Sequence, residues 1–171
     1  MSRMLAVVLA GTLPAGPASC ARLSIPTEPT AIGVAPTAAV SFEAEDGSGD
    51  GQIKGRSRAS GGRTIHLAPG EHRQWTFNFG ASPIWYALSV TYSNGREGEN
   101  EILSVSVDGA LITTFQDRDS GDAVEGWNSF VTDAAGSSLL GGRSHTLTIE
   151  SAGGDGCVEI DLVTLEPLGR G

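Results

Sequence analysis

The chain has 171 residues, with 20 acidic against 11 basic side chains, a formal net charge of −9 and a pI near 4.6. That length suits one domain with a tail. The charge argues against a phosphate backbone or an anionic lipid surface as partner, because neither attracts an acidic protein, whereas carboxylate-rich surfaces suit hard cations such as calcium.

Arg3 precedes a mostly apolar run from Met4 to Leu13, followed by small residues ending in Pro17-Ala18-Ser19-Cys20. This reads as an export signal over residues 1–20. The run is too short to span a bilayer, which takes about 20 apolar residues. The stretch before Cys20 resembles a bacterial lipoprotein cleavage site, with Pro17 where an aliphatic residue is usual. Lipidation at Cys20 and ordinary secretion are both open, and either places the protein outside the cell or on its surface. The second cysteine, Cys157, is expected as a small buried hydrophobe. Residues 21–39 are rich in Ala, Pro and Thr without periodicity and read as a flexible linker.

From Val40 the pattern changes to strand and turn. Trp75, Phe77 and Phe79 alternate with polar residues, as do Tyr86, Leu88, Val90 and Tyr92, then Leu103, Val105 and Val107, then Leu147 and Ile149. A period of two puts one face in a core and the other outside. By that parity Trp75 belongs to the core, and Tyr86 points inward while Trp85 points out. Pro69-Gly70, Asn94-Gly95, Asp108-Gly109 and Gly141-Gly142 separate the runs as turns. With 24 glycines and no helical periodicity, the chain is expected to be all-β, a two-sheet sandwich of roughly nine strands over residues 40–167. Asp46-Gly47-Ser48-Gly49-Asp50-Gly51 begins like a calcium loop of the EF-hand kind, but Ser57 stands at the twelfth position where a Glu is required. It reads as a turn.

Several segments in order resemble carbohydrate-binding modules of families 6 and 35. The domain opens with Phe42-Glu43-Ala44-Glu45, continues with Ala59-Ser60-Gly61-Gly62 and Thr64-Ile65-His66-Leu67, and then runs from Trp85 to Gly95 and from Leu103 to Gly109. Gly126-Trp127, the stretch from Gly142 to Ile149 and the closing Val158-Glu159-Ile160-Asp161-Leu162-Val163-Thr164-Leu165 complete it. The resemblance implies a jelly-roll sandwich, a structural calcium ion, and binding of glycan or polysaccharide through loops at one end or on the concave face; the protein is expected to be a monomer.

The resemblance also implies residue roles. Glu43 and Glu45, two apart in one strand, would share a face, as would Glu159 and Asp161. If the first and last strands lie side by side, these acids crowd and repel unless neutralised; Glu43, Glu45 and Asp161 are the side chains implied to ligate calcium. Trp127 is the residue implied to stack on a sugar, its apolar face covering the ring's C–H face. Asn128 and Asp155 are its candidate hydroxyl partners. Two departures stand out. Thr64 occupies the place of a second platform tyrosine, and the loop Gly153-Gly154-Asp155-Gly156-Cys157 lacks a familiar Asn. Family 35 modules often carry a second calcium, for which the loop Asp117-Arg118-Asp119-Ser120-Gly121-Asp122 is a candidate; a solvated turn is the plainer reading.

Nothing points to catalysis. His66, His72 and His145 are scattered, and neither a Gly-x-Ser-x-Gly elbow nor a His-Glu-x-x-His pair occurs. The expected function is a non-catalytic, calcium-stabilised carbohydrate-binding module. The alternative is a surface adhesion or structural sandwich that has lost its sugar site.

Overall fold

The computed structural model describes residues 30–31, 38–80, 82–95, 100–121, 126–154 and 156–168. The expected export signal and Cys20 lie outside these, as do Asp122 and Asp155. Among the described residues twelve strands follow one another: β1 (Thr30–Ala31), β2 (Val40–Glu43), β3 (Ser48–Gly49), β4 (Gln52–Gly55), β5 (Arg63–Leu67), β6 (His72–Asn78), β7 (Ile84–Asn94), β8 (Ile102–Val107), β9 (Ala110–Gln116), β10 (Val131–Leu140), β11 (Ser144–Gly153) and β12 (Val158–Pro167). Helical structure among the described residues is limited to three single 3-10 turns at Ala44–Asp46, Ser60–Gly62 and Gly126–Asn128.

Two sheets stack as a jelly-roll β-sandwich. The first has the order β1-β6-β11-β8-β9 with β3 also on β6; the second has β10-β7-β12-β5-β4 with β2 also on β12. Pairing is antiparallel except for β1, which lies parallel to β6 with Thr30 opposite Phe77. This short strand falls inside the stretch read above as an aperiodic linker.

The alternating runs become the facing surfaces of the two sheets. Trp75, Phe77, Leu103, Val105, Leu147 and Ile149 from the first sheet meet Tyr86, Leu88, Val90, Tyr92, Ile160 and Val163 from the second, each at most 5% exposed. Burying each such side chain contributes about 1.5–3 kcal/mol, so this interlayer holds the sandwich without a disulfide. Cys157 is only partly buried, less so than expected. The Asp108-Gly109 hairpin joins β8 to β9 through a two-residue loop in which both residues have positive φ, 52° and 78°. That is the geometry Asp-Gly favours, because its twist matches the flanking strands.

The last strand organises the second sheet. β7 pairs along one flank of β12. The other flank is shared: Val158, Glu159 and Ile160 face β5, and Leu162 to Leu165 face β2. The ladder to β7 slips between Ile160 and Leu162, so Asp161 is the extra residue of a bulge. It sits where the neighbour of β12 changes from β5 to β2. Bulges of this kind re-aim one side chain out of the alternation.

Candidate functional site

The acidic cluster forms at that joint. Leu162 lies opposite Glu43, so the first and last strands of the domain are neighbours as expected. Glu45 is not on the strand with Glu43; the chain turns after β2 and Glu45 belongs to the 3-10 turn Ala44–Asp46. The turn, rather than strand parity, returns its carboxylate toward that of Glu43. Both approach Gly61: a Cβ there would stand 3.0 Å from Glu45 Oε1 and 3.5 Å from Glu43 Oε2. Gly61 has φ +63°, a region that a glycine enters without strain.

The backbone of this turn is already satisfied. Trp75 Nε1 donates to the Glu43 carbonyl at 3.0 Å. The buried Arg73 guanidinium donates to the carbonyls of Ala44, Glu45, Gly49 and Asp50. Side-chain oxygens remain. Ser60 Oγ donates to Glu43 Oε1 at 2.7 Å, but Glu43 Oε2, Glu45 Oε2 and Asp161 Oδ1 are buried without a hydrogen-bond partner. Burial, reinforced by the charges of Glu43 and Glu45 and eased by a backbone N–H from Ser60, pushes Asp161 up to about 6. Among the described residues, no three His, Cys, Asp or Glu side chains already have metal-holding geometry. The chemistry of the donor set nevertheless fits a hard cation: each of the three carboxylates keeps one buried oxygen without a partner, and the two glutamates approach Gly61.

Glu159 has a different role from Asp161, because the bulge separates them. It keeps strand parity and points to the outer face of the second sheet, fully buried. Arg56 grips both of its oxygens, Nε at 2.6 Å from Oε2 and Nη2 on Oε1. Thr64 Oγ1 donates to Oε2 at 2.8 Å, and His66 Nδ1 is 3.4 Å from Oε1. Thr64, which replaces a platform tyrosine in the resemblance, is thus a buried support of this hub.

Trp127 lies beside the hub, on the 3-10 turn Gly126–Asn128. Its ring centroid is 5.5 Å from that of His66. It also lies over Gly95, where a Cβ would come within 3.2 Å of the indole. The turn is fixed from several sides. Ser120 Oγ donates within reach of the Gly126 and Asn94 carbonyls, at 2.9 Å each. Asn128 Oδ1 accepts from the Arg58 N–H at 3.0 Å, and its Nδ2 donates to Ser57 Oγ at 2.9 Å. Asn128 therefore sews the β4–β5 loop to the Trp127 turn with both ends of its amide. Trp127 itself is only partly buried.

Solved structures supply the comparison. A family 35 carbohydrate-binding module from Clostridium thermocellum superposes with a TM-score of 0.63 at 19% identity, covering 74% of this chain and 96% of that one. The C-terminal family 6 module of a laminarinase from Zobellia galactanivorans gives 0.60 at 12%, covering 75% and 98%. A mannanase with a family 35 module from Podospora anserina gives 0.61 at 23%, covering 80% of this chain. The chain has the fold of family 6 and family 35 carbohydrate-binding modules. It spans 29% of the mannanase's length. No protein-family model and no curated protein matches the sequence.

Within this module fold, the loop offered above as a second cation site is built differently at its start. Asp117 is fully buried. Its Oδ1 accepts from Asn94 Nδ2 at 2.9 Å and its N–H donates to the Glu101 carbonyl. Burial, then the neighbouring charge of Glu101, pushes it up to about 7. Asp117 is therefore a structural acid about half protonated at neutrality, and the folded state holds a proton that the unfolded chain gives up. Stability should fall as pH rises from the ordinary carboxylate range through 7. Asp117→Asn keeps the acceptor for Asn94 and removes the ionisation. The advantage of this variant in urea midpoint is expected to be small at pH 5 and larger at pH 8; an advantage independent of pH would contradict the assignment.

Proposed function

We propose that this domain is an exported, non-catalytic carbohydrate-binding module stabilised by calcium, with Trp127 as its sugar platform. The observation that carries the reading is the half-buried indole of Trp127, held by Gly95, Ser120 and Asn128 on a frame shared with modules of two carbohydrate-binding families. A rigid aromatic loses little freedom on binding and offers a large apolar face. Glu43, Glu45 and Asp161 would hold the calcium ion, which would supply positive charge to three crowded carboxylates and lock the turn Ala44–Asp46 to β12.

The named neighbours indicate suitable probes: a mannanase, an exo-β-1,3-galactanase and a laminarinase. Affinity electrophoresis in gels of β-1,4-mannan, β-1,3-galactan or laminarin should retard the wild type in at least one. Trp127→Ala should lose that retardation, a loss of at least about tenfold in affinity, with its melting temperature little changed. Absence of binding to any glycan in a broad array would remove the reading. It would favour the adhesion alternative, which one observation supports: Asn128 and Glu159 spend their polar atoms inside the protein and offer few to a sugar.

A further inference from the structure

Strand β7 exposes a second tryptophan at the end remote from Trp127. Tyr86, Leu88, Val90 and Tyr92 face the core, so Trp85, Ala87, Ser89, Thr91 and Ser93 line the outer face of the second sheet. Trp85 is 54% exposed. Leu139 of β10 lies directly opposite it in the ladder, and the N–H of Leu168 donates to its carbonyl at 2.8 Å. Leu139 and Leu168 are also about half exposed, at 50% and 45%. Three large apolar side chains thus cluster on a solvent face, which marks a contact surface.

The ground on this face beyond Trp85 is mostly small and hydroxylated, with Leu162 of β12 opposite Thr91. Ser89, Thr91, Thr132, Ala134, Ser137 and Thr164 occupy the outward positions of β7, β10 and β12. Thr91 and Thr132 hydrogen-bond across strands at 2.8 Å, and Thr164 bonds Ser41 at 3.0 Å. In a chain of net charge −9, the carboxylates in these rows of β12 stand at the two ends of the band: Glu166 opposite Ala87, and Glu159, buried and held by Arg56, opposite Ser93. At the far end Ser93 is buried and its hydroxyl approaches the Trp127 carbonyl, so the accessible band ends at Thr91 and Ser93 ties that end to the Trp127 turn. From Trp85 to Thr91 it measures about 20 Å at the usual strand rise, more than a single sugar ring occupies.

We infer that the outer face of the second sheet is a track for a long, neutral, linear polysaccharide, with Trp85 and its two leucines as a second platform. The inference rests on the glycan-binding reading and specifies its ligand: an internal stretch of chain rather than a terminal sugar. Small neutral hydroxyl side chains let a flat chain lie close and share hydrogen bonds, while the indoles cover sugar C–H faces at either end.

The test compares the wild type, Trp85→Ala, Trp85→Phe and Trp127→Ala on mannan, β-1,3-galactan and laminarin, and on di- and trisaccharides of the same linkages. Trp85→Ala should weaken binding of the long chain about tenfold and leave the short oligosaccharides unchanged. Trp85→Phe should restore most of the loss. Trp127→Ala should weaken both. Long-chain affinity unaltered by Trp85→Ala, or an equal loss on short and long ligands, would overturn the track and leave glycan binding standing. Sedimentation showing a wild-type dimer that Trp85→Ala dissociates, without change in affinity, would reassign the patch to self-association. A wild type that binds no glycan would take the underlying reading down with it.

Discussion

Calcium added to metal-stripped protein at pH 7.5 is expected to raise the melting temperature by about 10 °C. A ligand that binds only the folded state at a hundred times its Kd contributes about 2.7 kcal/mol, and a domain of this size gains a few degrees per kcal/mol. The reason lies in the carboxylates of Glu43, Glu45 and Asp161, each with one buried oxygen that has no hydrogen-bond partner. Asp161 is 4% exposed, and its folded-state pKa of about 6 lies above the ordinary 3.8. For an acid, that displacement means ionisation opposes folding. The metal-free protein should be most stable below the ordinary carboxylate range and lose stability as pH climbs through 6. The cost is on the order of 3 kcal/mol above that point. A divalent cation reverses the cost, so the calcium response should be large at pH 7.5 and small at pH 5, where protons compete. Asp161→Asn should do two things together: abolish the response to calcium, and make the metal-free protein more stable than the metal-free wild type at pH 7.5. A wild type whose melting is indifferent to calcium and to chelator would refute the site. A variant that still responds would clear Asp161 of its role.

The second large effect is expected at Arg56. Its guanidinium grips both oxygens of Glu159, which is fully buried, while Arg56 itself is 27% exposed. Truncating Arg56 to Ala leaves an ionised carboxylate inside the protein with Thr64 as its remaining close hydrogen-bond donor. Breaking a buried pair from one side costs about 3 kcal/mol or more. The urea midpoint of Arg56→Ala should drop accordingly. In the double variant Arg56→Ala/Glu159→Gln the stranded charge is gone, and more than half of the loss should return. Equal losses in the single and double variants would mean that Arg56 acts by packing rather than by charge. Because the pair underlies the His66–Trp127 contact, the single variant should also weaken any glycan binding that depends on Trp127.

Much of this was readable from the chain because strands write a period of two. β6, β7, β8 and β11 carry long alternations, and their core faces fell where parity put them; Trp85 outward and Tyr86 inward is the sharpest instance. β3 and β4 carry no such signal. They are short, largely exposed and held by their neighbours, so their residues need not be apolar. The acids show the same division. That β2 and β12 adjoin followed from the resemblance, and Leu162 opposite Glu43 bears it out. That Glu45 sits on a turn, and that Asp161 is thrown out of register by a bulge, are results of tertiary pairing. A slip in a ladder leaves no mark in composition. Nor could local pattern show that Arg56 would reach Glu159, 103 positions away, and so turn Glu159 from a suspected companion of Asp161 into the anchor beneath Trp127. Asp155 lies outside the described residues.

The position of β12 has a consequence for how the molecule comes into being. Three partners, β2, β5 and β7, are assembled on the final ten-residue strand of the domain, so until β12 has been made the second layer exists only as separate pieces. A domain arranged in this way is completed only when β12 takes its place between β7 on one flank and β2 and β5 on the other. Removing β12 should therefore yield no smaller version of the fold, only an unfinished one.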